Sequence, residues 1–116
     1  MISWLMAAAA ASQPLAADPA AAHLAGGRDA AAIALLESRG ETVETPSHLI
    51  NLGIAYARSG NAEKARAAFE TALRSRDRME LQTATGAWVD SRALARQALV
   101  MLDRGEFVPG SQIARN

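Results

Sequence analysis

The chain has 116 residues, with twelve Lys and Arg against twelve Asp and Glu, and it contains no cysteine. This length fits one domain, and the balanced charge argues against a dedicated nucleic-acid binder, whose surface would carry an excess of positive charge. Without cysteine, the chain can have no disulfide, no thiolate metal site, no cysteine nucleophile and no lipid anchor on cysteine.

Half of the residues are hydrophobic but only 4% are aromatic, and alanine supplies much of the apolar content. Because alanine buries little area, a core built from it depends on close approach of backbones. The composition therefore favours tightly crossing helices.

Residues 1–17 are interpreted as a signal peptide. An apolar run from Ile2 to Ala11 precedes small-residue cleavage sites after Ala11 or Ala17, although no Lys or Arg comes before the run. The run is shorter than the roughly 20 apolar residues that a membrane-spanning helix needs, so no span is expected after processing. The alternatives are a buried first helix or an extension from a misplaced start codon.

The residue pattern of positions 18–45 predicts two short helices. The first starts at Asp18-Pro19, and the second runs from Arg28 to about Arg39. A glycine pair separates them, and the second carries an apolar stripe of Ala31, Leu35 and Leu36. A polar link follows.

Residues 46–78 predict a pair of longer helices, one from Pro46 to Arg58 and one ending near Arg74. Thr45 and Asn61 are the predicted N-caps, and Gly60 suits the left-handed position just past a helix end.

Residues 79–104 predict a hairpin and a capping helix. The alternation places Met79, Leu81 and Thr83 on one side, with a turn at Thr85-Gly86 and Trp88 across from Thr83. Asp90 or Ser91 then caps a last helix that ends before Gly105, with an apolar stripe of Leu94, Ala95, Ala98, Leu99 and Leu102. Residues 105–116 are interpreted as a tail.

Small and aromatic residues recur across the two helices of residues 46–78, at Gly53, Tyr56, Ala65, Phe69 and Ala72. This spacing resembles a tetratricopeptide repeat, a two-helix unit of 34 residues. Asp77 stands where the family usually has proline, which leaves the exit of the second helix open. The resemblance implies an all-α fold of antiparallel helix pairs, with Gly53 and Ala65 at a close crossing and two aromatic rings filling the space beside it. The residues on the family pattern are Leu49, Leu52, Gly53, Tyr56, Ala65, Phe69 and Ala72.

Subtracting 34 from these positions reveals a second, degenerate copy in residues 18–45. Gly60 corresponds to Gly26, Ala65 to Ala31, and Phe69 to Leu35. Since such units do not bury their faces alone, the hairpin and last helix are expected to supply the missing layer, with Met79, Leu81 and Trp88 covering the second repeat helix.

No pattern indicates catalysis, a metal site or a cofactor. His23 and His48 lack a ligand or catalytic spacing and are interpreted as helix-surface residues, and no phosphate loop or nucleophile elbow occurs. The chain is therefore predicted not to be an enzyme.

The family resemblance implies that the first helix of each repeat lines a groove for a peptide or protein segment. The residues expected to face the partner are Ser47, Ile50, Asn51, Ile54 and Arg58. For Ile50 and Ile54, packing against the preceding copy is an equal alternative.

The prediction is a non-catalytic interaction scaffold, or adaptor, in a bacterial periplasm. The alternatives are a cytosolic adaptor that keeps its apolar N-terminus, and a structural subunit that associates with itself through the exposed repeat end. The protein partner is not identified by the sequence.

Overall fold

The structure, a computed structural model, describes residues 20–39, 45–83 and 85–109. This part of the chain is mostly helical and contains one two-stranded antiparallel sheet, as the sequence predicted. In chain order the elements are α1 (Ala21–Ala25), α2 (Asp29–Glu37), α3 (Pro46–Arg58), α4 (Ala62–Arg74), β1 (Glu80–Gln82), β2 (Trp88–Asp90) and α5 (Ser91–Asp103).

The N-caps of the three long helices are those that the sequence predicted. Thr45 accepts a hydrogen bond from the backbone N–H of His48 at 3.4 Å, and Asn61 accepts one from Lys64 at 3.2 Å. At the start of α5, Asp90 accepts from Ala93 at 3.0 Å. Each cap satisfies an N–H that has no partner within its own helix, and this fixes where the helix begins.

The same turn joins α1 to α2 and α3 to α4. Gly27 and Gly60 both have positive φ, of 76° and 87°. Each turn carries a hydrogen bond that spans five residues, from Arg28 N to His23 O and from Asn61 N to Tyr56 O, both of 2.8 Å. This is the Schellman arrangement that ends helices at a left-handed glycine.

The two turns correct the predicted alignment of the degenerate copy, because their glycines lie 60 − 27 = 33 residues apart. With that offset Ala65 corresponds to Ala32 and Phe69 to Leu36, and both of these α2 residues are fully buried. The alignment with an offset of 34 was wrong, since it placed the exposed Ala31 in the core. Leu35 is half-buried.

The hairpin register also differs from the prediction by one residue. Trp88 pairs with Gln82 and Leu81 pairs with Val89, whereas Trp88 was expected opposite Thr83. Since alternate residues of a strand point to opposite faces, this shift moves the Trp88 side chain to the outer face of the sheet. Its exposure of 65% agrees with that position.

Helix α5 covers α4, and the chain beyond it returns to the core. The buried stripe of α5 includes Met101, which the sequence analysis did not select, while Leu99 and Leu102 are half-buried. Phe107, predicted to lie in a tail, is half-buried and stacks on Phe69 with ring centroids 5.9 Å apart. Phe107 is thus packed against the helices, whereas Gly105, Val108 and Pro109 are exposed.

Two apolar clusters hold the described elements together. The larger one joins α3, α4, β1 and α5, and its fully buried members are Ile50, Ile54, Ala65, Phe69, Ala72, Leu94, Ala95 and Ala98. The smaller one joins the N-terminal helices to α3 through Ala20, Leu24, Ala32, Leu36 and Ala55. Ile33 and Leu52 pack against both clusters, so the two clusters are continuous.

The predicted signal peptide, residues 1–17, lies outside the described residues. Within the described ranges, no helix is long and apolar enough to cross a membrane.

Candidate functional site

Where α3 crosses α4, Gly53 lies against the ring of Phe69. A Cβ atom at Gly53 would lie 2.4 Å from Cε1 of Phe69, closer than carbon atoms normally approach. The absence of a side chain at Gly53 therefore lets the Phe69 ring rest on the backbone of α3. Gly53 thus lies at a close contact between α3 and the Phe69 ring of α4.

The other residues of the repeat pattern also lie in the core. Ala65, Phe69 and Ala72 are fully buried, Leu49 and Tyr56 are nearly so, and Leu52 is half-buried between the two clusters. The side chains that were selected from the family resemblance thus lie together where α3 meets its neighbours.

The five residues expected to face a partner are placed differently. Ser47 is half-buried, whereas Ile50, Asn51 and Ile54 are fully buried and Arg58 is 5% exposed. The two isoleucines belong to the larger cluster with side chains of α4 and α5, and Arg58 contacts the N-terminal helices. In this conformation α3 is enclosed by its neighbours, and Ser47 is the only one of the five that a partner could reach directly.

Arg58 forms a buried ion pair that the sequence analysis did not foresee. Its Nη2 donates to Oδ1 of Asp29, at the start of α2, and also to the backbone oxygen of Leu24 in α1, at 2.6 Å. Both charged side chains are almost fully buried. Because a buried charge is tolerated only when it is paired and hydrogen-bonded, this contact fastens both N-terminal helices to the end of α3.

No sequence signal linked Arg58 to Asp29. Arg58 was expected to pair with a partner's carboxylate, and the structure supplies a carboxylate from the same chain, 29 residues earlier. Spacing rules identify neighbours within one helix or one repeat, and this pair joins two different helix pairs.

Tyr56 connects three helices. Its hydroxyl donates to Oε2 of Glu37 at the end of α2, and the Nζ atom of Lys64 in α4 lies 5.5 Å from the centre of its ring. Burial of the phenol, together with the hydrogen bond to Glu37 and its negative charge, raises the pKa of Tyr56 to about 12. The hydroxyl is therefore neutral at physiological pH and acts as a donor.

The hairpin was expected to cover α4 with three apolar side chains, but only Leu81 is buried. Met79 is 43% exposed and Trp88 is 65% exposed, so these two were placed wrongly. On the outer face of the sheet, Arg78 pairs with Asp90, Nε to Oδ1 at 2.7 Å. Arg78 and the backbone N–H of Ala93 hold the pKa of the Asp90 carboxyl below its usual value.

The histidines are also not both on the surface. His48 is buried at the start of α3, which corrects the prediction, while His23 is half-buried and accepts a hydrogen bond from Arg28 Nε at 3.3 Å. Among the described residues, no three His, Cys, Asp or Glu side chains are grouped so that they could hold a metal ion.

No family model, curated protein or solved structure matches the chain.

Proposed function

We propose that the chain is a non-catalytic scaffold of the tetratricopeptide type that binds another protein. The observation that carries this proposal is the repetition of one helix–turn–helix unit. Gly27 and Gly60 both have positive φ, the same hydrogen bonds span the two turns, and Ala32 and Leu36 repeat the burial of Ala65 and Phe69. Stacked helix pairs of this kind typically present extended surfaces for binding proteins.

The order of packing supports the same interpretation. Helix α2 packs on α3, α3 on α4, and α4 on α5, so each helix contacts the next along the chain. The close approach at Gly53 and Phe69 is the contact that the family pattern implies for the centre of a repeat. In this scheme α5 closes the stack, because Arg96 and Asp103 lie on its exposed side.

We propose that the partner contacts Ser47 and the hairpin's Trp88. Ser47 is the accessible member of the groove residues, and Trp88 is a large exposed aromatic side chain of the kind that contributes strongly to protein interfaces. A charge introduced at Ile54 would not test this proposal, because Ile54 is fully buried and the change would unfold α3.

Site-specific crosslinking in the native host tests the scaffold. A photo-reactive amino acid is placed separately at Ser47 and at Trp88, and the control carries it at Ala67, which is exposed on α4. We expect the same protein to be captured from Ser47 and Trp88 but not from Ala67, and to bind the purified chain in calorimetry. Equal labelling from all three positions, or a captured protein that does not bind in calorimetry, would contradict the proposal.

We also propose that the scaffold is exported to the periplasm after removal of residues 1–17. The support is the apolar run and the small-residue sites described above. The intact mass of the chain in periplasmic and cytosolic fractions tests this. A chain beginning at Asp18 or Ser12 in the periplasm is expected, whereas a full-length chain in the cytosol would place the scaffold inside the cell.

A further inference from the structure

Two exposed arginines at the end of α4 have no polar partner among the described residues. Arg74 lies in the last turn of α4 and Arg76 lies just beyond its end, and both are exposed. Neither side chain forms a hydrogen bond or an ion pair with any part of the chain that the structure describes. Since a guanidinium group carries five N–H donors, both side chains can donate to a ligand.

The end of α4 does not use these two arginines as caps. Cationic side chains often bond the last carbonyl groups of a helix, but here Arg92 of α5 does so, because its Nη2 donates to the backbone oxygen of Ser75 at 2.9 Å. The neighbouring Arg78 is also occupied, since it pairs with Asp90. The two exposed arginines thus close neither the helix nor the hairpin.

The start of α3, with Ser47, lies beside the end of α4. A short turn joins these two helices, so they run antiparallel, and the Phe69 ring of α4 meets Gly53 of α3. Ser47 precedes Gly53 by 53 − 47 = 6 residues, and Ser75 follows Phe69 by 75 − 69 = 6. Because each helical residue advances the chain by the same rise, Ser47 is level with Ser75.

Trp88 lies at the same end of the molecule. The hydrogen bond of Arg92 joins the start of α5 to the end of α4, and β2, which contains Trp88, leads directly into α5. A partner that contacts both Ser47 and Trp88, as proposed above, therefore passes the end of α4 and its two exposed arginines.

We propose that this partner binds through an acidic segment, whose carboxylates accept hydrogen bonds from Arg74 and Arg76. The proposal rests on the scaffold function and names the chemistry of its partner. A guanidinium group matches the geometry of a carboxylate, and charge-assisted hydrogen bonds of this kind are stronger than neutral ones. Charged contacts at the edge of an interface also speed association and help to select the partner.

The nearby charges favour a protein segment over a nucleic acid. A phosphate backbone binds where several cations neutralise it together, and the chain as a whole has no net charge. Asp77 and Glu80 follow the two arginines in the chain and are exposed, so they would repel a continuous polyanion. A segment with a few separated carboxylates can reach the arginines and leave both acids in water.

Peptide binding to the purified chain tests the proposal. The probe is a fluorescein-labelled peptide in which Glu alternates with Ala, and the matched control peptide has Gln in place of Glu. We expect fluorescence anisotropy to show binding of the Glu peptide alone. Its affinity should fall as salt is added, because salt screens exposed charges.

Charge variants of the chain locate the contact. Arg74→Gln combined with Arg76→Gln should weaken binding of the Glu peptide by at least about tenfold, since the charge-assisted contacts are lost. The control, Arg66→Gln combined with Arg104→Gln, removes the same charge from exposed arginines near the start of α4 and the end of α5. It should bind like the original chain. Thermal unfolding midpoints verify that both double variants fold.

Three results would overturn the proposal: equal binding of both peptides, no binding of the Glu peptide, or an equal loss of affinity in the two double variants. Tighter binding of a single-stranded oligonucleotide, abolished by Arg74→Gln with Arg76→Gln, would overturn it too, since the ligand would then be a nucleic acid. A chain with Glu41→Gln and Glu44→Gln should bind the Glu peptide no more tightly than the original. A large gain would mean that the chain's own acids hold the arginines, against the proposal.

The failure of this proposal differs from a failure of the scaffold function. If crosslinking from Ser47 and Trp88 captures a protein that binds in calorimetry while the Glu peptide does not bind, the scaffold stands and its acidic partner is excluded. If neither position captures a protein, the scaffold proposal fails, whatever the peptide does.

Discussion

The two helix pairs of this chain share a turn but are held in place by different forces. The α3–α4 pair has 13 residues in each helix, a side-chain cap at each start and an aromatic ring at its crossing. The α1–α2 pair has helices of 5 and 9 residues with no side-chain cap, and its buried apolar side chains are small or aliphatic. Its attachment includes the buried Arg58–Asp29 pair and the Tyr56–Glu37 hydrogen bond.

This difference shows how a pair of short helices is held against a pair of longer ones. A short alanine-rich helix buries too little area to be stable alone, because isolated helices of this length are marginal in water. Polar contacts from the well-formed pair supply specific attachment points where apolar area is missing. The stability of the α1–α2 pair should therefore fall when a charged partner is removed, and that of the α3–α4 pair when side-chain volume is added.

The largest loss of stability is expected when one partner of the buried Arg58–Asp29 ion pair is removed. Asp29→Ala leaves the Arg58 guanidinium buried without its carboxylate, and removing one partner of a buried pair costs about 3–5 kcal/mol. We expect a loss of stability of this size in chemical denaturation. Hydrogen exchange should show the loss of protection spreading from α1 and α2.

Two variants serve as controls for this prediction. Arg58→Met combined with Asp29→Ala removes both charges and should recover much of the stability. Asp103→Ala breaks the exposed pair between Asp103 of α5 and Arg66 of α4, and it should leave the unfolding curve unchanged. If Asp29→Ala behaves like Asp103→Ala, the polar attachment of the N-terminal pair is contradicted.

The next largest loss of stability is expected when a larger side chain is placed where α3 crosses α4. Gly53→Leu places a side chain where even a Cβ atom would lie 2.4 Å from the Phe69 ring. Overpacking of this kind typically costs about 1–3 kcal/mol. The thermal midpoint should fall, whereas the same enlargement at the exposed Ala67 should change it little. Equal midpoints for the two variants would mean that the crossing is not tightly packed.

A smaller effect on stability should follow from changing the residue before the second helix of each pair, Arg28 before α2 and Asn61 before α4. Arg28 precedes α2 with φ −90° and ψ 70°, nearly the conformation of Asn61 before α4, at −96° and 74°. Only Asn61 caps its helix. Arg28→Asn should therefore stabilise the chain and Asn61→Ala should destabilise it, each by about 0.5–1 kcal/mol. Denaturation midpoints that shift in the same direction for both variants would contradict this view of the turns.

The sequence predicted the features that depend on local rules. Thr45 and Asn61 were identified as caps, Asp90 as one of two candidate caps, and Gly60 as a left-handed residue, because these roles depend on residue type and on neighbours a few positions away. Gly53 was identified because the family pattern places a small residue at the crossing.

The predictions that failed depend on contacts between distant parts of the chain. Arg58 was assigned to a partner because nothing local indicates that Asp29 lies beside it. Phe107 was assigned to a tail because its stacking on Phe69 joins residues 38 positions apart, 107 − 69. The one-residue error at Trp88 arose because the alternation of a short strand does not fix how many residues its turn contains.

The last prediction measures the contact between the two helix pairs through Tyr56, the only tyrosine in the chain. Its phenolate absorbance should titrate near pH 12 in the folded chain and near 10 in denaturant, since burial and Glu37 favour the neutral phenol. The stability that follows from this shift is fully present below pH 10, and it is lost as the pH rises from about 10 toward 12.

Glu37→Gln should lower the pKa of Tyr56 only partly, because desolvation is the larger cause. Tyr56→Phe should remove this contribution to alkaline unfolding. If Tyr56 titrates near 10 in the folded chain, the phenol is in water and α2 is not attached at this point.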